Sequence, residues 1–209
     1  MGPPVNVDAV ALRASQYWME DGLVEIMLGL IMAGPSCLFL AVGAIPRGPL
    51  LDVMSLGGVQ ALFLAIGLSI PWGFKKLKQR IAFPRRGYVA LSRPTKMFRI
   101  FMFAIFAIFA ALFRLLASRD WSRMAVPVTA LVFALALILL GLQVRLPRMV
   151  WEGLLPLGFG ALLYFFTAVK GSKGVVTLMV MIGASLVILG ALQLRSFRQA
   201  NPRPEETEA

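Results

Sequence analysis

The sequence predicts an all-α, polytopic transmembrane bundle of six spans with both termini in the cytoplasm, and three observations carry that expectation. First, 59% of the 209 residues are hydrophobic and only 15% are charged, against roughly 25% charge in a soluble domain; the mean hydropathy is +0.80. Second, the apolar residues come in blocks of about twenty, the length at which a helix rising about 1.5 Å per residue crosses about 30 Å of hydrocarbon. Third, on a six-span reading fifteen of the 21 Lys and Arg fall on one side and the remaining six on the other, and basic residues are retained on the cytoplasmic face.

The spans fall at about residues 22–44, 52–73, 100–117, 125–144, 150–169 and 174–194, and they make residues 1–209 a single membrane domain. The stretch from Met1 to Asp8 lacks the basic region and immediate apolar run of a secretory leader, so the first span is expected to be retained. Residues 8–19 can form a short interfacial helix with Tyr17 and Trp18 at headgroup depth, where amphipathic rings are favoured. Span three is only about eighteen residues long and carries Arg114, so a re-entrant pair replacing spans three and four is the alternative topology.

Residue counting removes several chemistries. The chain has one cysteine, Cys37, and no histidine. Zinc sites of Cys and His, bis-histidine haem, and Ser–His or Cys–His nucleophile pairs therefore lack their ligands or bases. Cys37 is expected to be a small buried packing residue. Neither GxxxxGK[ST] nor GxGxxG occurs, and Gly158-Phe159-Gly160 reads as close helix packing. No catalytic residue, metal site or cofactor is assigned.

The most conspicuous segment is Lys75 to Arg99, which holds nine Lys or Arg and no acid in 25 residues. Pro84, Gly87 and Pro94 divide it, and residues 81–83 and 88–91 are expected as two short strands around a Pro-Arg-Arg-Gly turn. Lys75, Lys76, Lys78, Arg80, Arg85 and Arg86 are the candidates for contact with anionic phospholipid or with an acidic face of a partner, each being worth about 1 kcal/mol near an anionic leaflet. The forked donors of Arg85 and Arg86 suit phosphate. The formal charge of +11 reflects this loop and the sidedness of the bases, and nucleic acid is not expected as a partner.

An acidic group occupies the cytoplasmic mouths of two spans. Asp21 and Glu25 are four residues apart, on one helix face, and Glu152 takes the matching place at the fifth span. Charges at membrane depth must face protein or water, so these three are expected to pair with Arg80, Arg85 or Arg86. On the outer side, Asp52 and Arg114 lie at similar depth and are expected to form an ion pair.

Two packing signals complete the pattern. Gly29 with Ala33, Gly57 with Ala61 and Ala65, and Ala104 with Ala107 and Ala111 are small-residue faces that let helices approach closely. Asp21-Gly-Leu-Val-Glu-Ile-Met-Leu-Gly29 also echoes Glu152-Gly-Leu-Leu-Pro-Leu-Gly-Phe-Gly160, which would make spans one and two a parallel repeat of five and six. Kinks are expected at Pro35 and Pro127.

Asp21-Gly22-Leu23-x-Glu25-Ile26-x-x-Gly29, followed by Arg80-Ile-Ala-Phe-Pro84-Arg85-x-Gly87-Tyr88-Val89, resembles small bacterial integral membrane proteins of unknown function that join an acidic first-span mouth to a basic Pro-Arg-x-Gly-Tyr loop. The resemblance covers roughly the first half of the chain. It implies a multi-pass protein of the bacterial cytoplasmic membrane and carries no activity to transfer. Three functions stay open. The leading one is a non-enzymatic membrane subunit or accessory protein, engaging lipid, a membrane protein partner or a second copy of itself. The others are a small-solute or ion transporter with an acidic inner vestibule, and a lipid-handling enzyme using Asp21 or Glu25 with the arginines.

Overall fold

A computed structural model describes residues 13, 16, 17, 19–43, 73, 76–81, 124–167 and 171–202. Among the described residues all regular secondary structure is helical. The helices are α1 (Leu23–Gly43), α2 (Ala125–Val144), α3 (Pro147–Glu152), α4 (Leu155–Phe166) and α5 (Gly171–Ala200). Four helical stretches, Leu23–Ala41, Ala125–Val144, Pro147–Phe166 and Lys173–Ala200, are long and apolar enough to cross a membrane.

These helices coincide in position with expected spans one, four, five and six, with two refinements. Span five is broken: α3 ends at Glu152, and α4 restarts at Leu155 with Pro156 in its first turn. Proline has no N–H to donate and its ring crowds the carbonyl four residues back, which here belongs to Glu152. Span six is longer than its apolar core; at about 1.5 Å per residue α5 measures roughly 45 Å, well beyond about 30 Å of hydrocarbon. Its basic end, with Arg198 in the last turn, suits the negative pole of the helix. Spans two and three, the Asp52–Arg114 pair, and Lys75, Arg85 and Arg86 lie outside the described residues.

Three local expectations change. Ile81 is helical, within the described segment 76–81, so the strand expected from that position does not begin there. Pro127 lies in the first turn of α2, where N–H groups lack intrahelical acceptors anyway, so it removes no ladder bond. Cys37 is exposed rather than buried, because α1 turns an outward face after the buried Pro35 and Ser36.

The connection from α2 to α3 is tight. Arg145 takes a left-handed conformation with φ 56°. The Leu146 N–H donates to the Gly141 carbonyl at 2.9 Å and that of Arg145 to Leu142 at 3.2 Å, the paired bonds of a Schellman ending. Pro147 then opens α3, where its missing N–H costs nothing.

Glycines spaced by seven residues set how closely the helices approach. Seven residues are two turns, which return to nearly the same face. Gly22 and Gly29 of the first segment meet Gly190 and Gly183 of α5, in that order, so α1 and α5 run antiparallel. A methyl added to Gly29 would lie 2.5 Å from the Gly183 carbonyl, and one added to Gly190 would lie 2.6 Å from that of Gly22. Gly153 and Gly160 repeat the device, meeting Ile138 and Ala134, and Ala130, of α2. The faces turned away are apolar too: Leu131, Leu135, Leu139 and Leu142 form an exposed stripe along α2, as expected when the surrounding solvent is hydrocarbon and association rests on packing.

Gly29→Ala and Gly183→Ala are each expected to destabilise by about 1–3 kcal/mol through overpacking. Gly34→Ala and Gly158→Ala, whose new methyl meets no described atom within 4 Å, should be neutral or stabilise by about 0.5–1 kcal/mol. Thermal melts in detergent separate the two classes, and equal effects at all four positions would refute packing through the seven-residue glycines.

Candidate functional site: a buried ion-pair cluster

Where the N-terminus of α1 meets α3, charged side chains turn inward together. Asp21, Glu25 and Lys78 each retain 1% of their accessible surface and Glu152 retains 5%. Moving such ions out of water costs several kcal/mol apiece, so a buried ion needs a partner.

Asp21 is used twice. One carboxylate oxygen accepts the Leu23 N–H at 3.1 Å, capping the start of α1. The other lies 2.9 Å from Lys78 Nζ. Between Asp21 and α1 the chain turns through Gly22 at φ 76°, a conformation that favours glycine, and the same residue has no room for a side chain against α5. Burial pushes the Lys78 ammonium below the usual lysine range, opposed by the Asp21 carboxylate beside it and more weakly by Glu25.

Arg148 forms the second half. Its guanidinium donates to the Met19 carbonyl at 3.0 Å and to Glu25 Oε1. Its Nε lies 3.4 Å from Glu152 Oε1, one helical turn on, as an ion pair without hydrogen-bond geometry. The two remaining oxygens, Oε2 of Glu25 and Oε2 of Glu152, are buried and accept no hydrogen bond. Nearby, the Gln193 amide of α5 donates to the Glu20 carbonyl at 3.0 Å. The segment before α1, the 76–81 helical segment, α3 and the C-terminal part of α5 are thereby tied together at one end of the bundle.

The three acids singled out in the sequence are brought into one cluster, and the partners described for them are bases not named in that expectation, whose Arg85 and Arg86 lie outside the described residues. Glu25 and Glu152 take Arg148, and Asp21 takes Lys78. Lys78 had been grouped with surface bases; it is turned inward, whereas Lys76 and Arg80 on either side of it are exposed. Signals for both partners were present. Arg148 and Glu152 are four apart on one short helix, and Lys78 shares a helical face with Ile81, which is partly buried.

The echo between Asp21–Gly29 and Glu152–Gly160 has a local structural counterpart. In each, a buried acid immediately precedes the first of two glycines on which a neighbouring antiparallel helix packs. The partners differ, since the first segment packs on α5 and α4 on α2. The full repeat would need span two, outside the described residues.

Fold and cluster together define the class: a helical membrane protein whose described spans are locked at one end by buried ion pairs. No protein-family model matches the chain, and neither a curated protein nor a solved structure matches it.

Asp21→Asn or Lys78→Met alone is expected to cost about 3–5 kcal/mol, because each removes one member of a buried ion pair and leaves the other's charge in place. The double variant should recover most of that loss, since no ion is then stranded and Asn still caps α1. Resistance to unfolding by SDS measures both, and a double variant as unstable as the worse single one would show that the pair is not the source of the effect.

Proposed function

We propose that the chain is a non-enzymatic subunit or accessory protein of the bacterial cytoplasmic membrane, with six spans and both termini cytoplasmic, whose basic end engages anionic phospholipid or an acidic surface of a membrane protein partner. The observation that carries this reading is that the acids at the mouth are consumed internally: Asp21, Glu25 and Glu152 are buried against Lys78 and Arg148. A vestibule attracting cations would need those carboxylates open to water. The bases near that end have the opposite disposition, for Lys76, Arg80, Arg145 and Arg195 are exposed, and so is Trp151 of α3. A tryptophan with arginines at a helix end suits the headgroup layer, and it is this outward charge that supplies a docking face; Arg85 and Arg86 follow it closely in sequence.

One observation favours the transporter reading as second. The break between α3 and α4 sits next to Glu152, and discontinuous helices accompany substrate sites in secondary transporters.

Replacing Lys76, Arg85 and Arg86 together by Gln is expected to strip bound anionic phospholipid, or an acidic partner protein, from the purified protein without lowering its melting temperature, as judged by native mass spectrometry. Lys78→Gln should do the reverse. Unchanged lipid and partner retention in the triple variant would remove the proposal, and solute flux in vesicles that disappears in the Glu25→Gln/Glu152→Gln variant would install the second reading in its place.

A further inference from the structure

Counted over the described residues, the cluster does not balance. Three carboxylates, those of Asp21, Glu25 and Glu152, face two cations, Lys78 and Arg148. Among the described residues the neighbouring elements offer no further buried charge to it: α2 has no ionisable residue between Ala125 and Val144, α5 presents the neutral Gln193, and Lys76, Arg80, Arg145 and Arg195 are exposed. Glu20, adjacent in sequence, has its own interaction and would add a negative charge. An unneutralised carboxylate in such surroundings is costly enough that buried acids take up a proton instead.

The atoms without partners show where that proton belongs. Glu25 Oε2 and Glu152 Oε2 are both buried without a hydrogen bond, on side chains that are almost wholly enclosed, whereas Asp21 Oδ2, also without hydrogen-bond geometry, lies 2.9 Å from Lys78 Nζ. The two glutamates share Arg148 and are near enough to act on each other electrostatically. Glu25 holds the guanidinium by a hydrogen bond, and Glu152 only by the longer contact.

We propose that the Glu25–Arg148–Glu152 cluster is a proton-binding site, in which Glu152 carries the proton and Glu25 stays ionised against Arg148. With Glu152 neutral, two carboxylates face two cations. Loss of the proton leaves two glutamate charges competing for one guanidinium at the junction of α1, α3 and α4, so occupancy of the site controls how firmly that end of the bundle is held. This inference does not depend on the accessory-protein reading, since it concerns only the cluster's charge.

The sign of the linkage follows from counting protons. In the unfolded chain a glutamate has released its proton by neutral pH, so the folded protein binds one proton more, and stability must fall as pH rises through the titration of the site. The experiment uses the full-length protein in lipid bilayers, stepped from mildly acidic to alkaline pH, with infrared detection of the protonated-carboxyl carbonyl stretch and parallel thermal melts. We expect a carboxyl band that vanishes on alkalinisation in the wild type and is missing from Glu152→Gln, together with a melting temperature that falls with pH in the wild type and is flatter in the variant. Glu152→Gln mimics the protonated acid and is expected to fold. A wild type lacking the band, a variant retaining it in full, equal pH profiles of the two proteins, or a variant that cannot fold because it needs the lost charge would each overturn the assignment.

Discussion

Arg148 is the constraint on which the described end of the bundle depends. One guanidinium reaches the Met19 carbonyl before α1, Glu25 in the first turn of α1 and Glu152 at the end of α3. Those groups come from regions more than 120 residues apart in sequence. In hydrocarbon or at its edge, a charge that misses its partner is costly, so the positions of α1 and α3 are set by the need to deliver their carboxylates to the same cation. Arginine suits this role because its planar fork offers several donors in fixed directions and it stays charged. A lysine there would present a point charge without the same geometry.

The glycine contacts are the complementary half of that arrangement. Ion pairs specify which ends meet, but they do so only if the helix axes come close, and in lipid there is little hydrophobic drive to bring them together. Gly22 and Gly29 against Gly190 and Gly183, and Gly153 and Gly160 against α2, remove the side chains that would hold the backbones apart. Placing each acid directly before the first glycine of its pair puts the charge at the edge of a close-packed seam, where water is excluded and a partner is required. Packing and electrostatics are thus coupled by adjacency in the chain.

Much of this was legible in the sequence, and the parts that were not have physical reasons. Span location follows from composition because crossing a bilayer demands about twenty apolar residues, and α1, α2, the α3–α4 unit and α5 fall where expected. The acids Asp21, Glu25 and Glu152 stood out because ions near apolar spans are expensive. Their partners did not, since a chain with 21 Lys and Arg offers many candidates and side-of-membrane counting does not rank them. Lys78 lies among exposed bases in sequence, and only the helical phase that aligns it with Ile81 separates it from Lys76 and Arg80. The break at Glu152 was signalled by Gly153 and Pro156, but the uninterrupted hydropathy of residues 150–169 concealed it. Exposure of Cys37 was not readable, because in a lipid-facing helix both faces are apolar and the usual contrast between inside and outside is lost.

The pairing of the first described helix with the last also has a consequence in time. Among the described helices the most extensive contact joins α1 to α5, and Gly22 precedes Gly190 by 168 positions. At about 5–20 residues per second of synthesis, roughly ten to thirty seconds pass between the appearance of one glycine and that of its counterpart. The α2–α4 hairpin, joined by the tight Arg145–Pro147 turn, can insert and pair as soon as it is made. The first helix cannot complete its described contacts so early: Glu25 meets Arg148 only once α3 is made, and the described bundle closes only when α5 emerges.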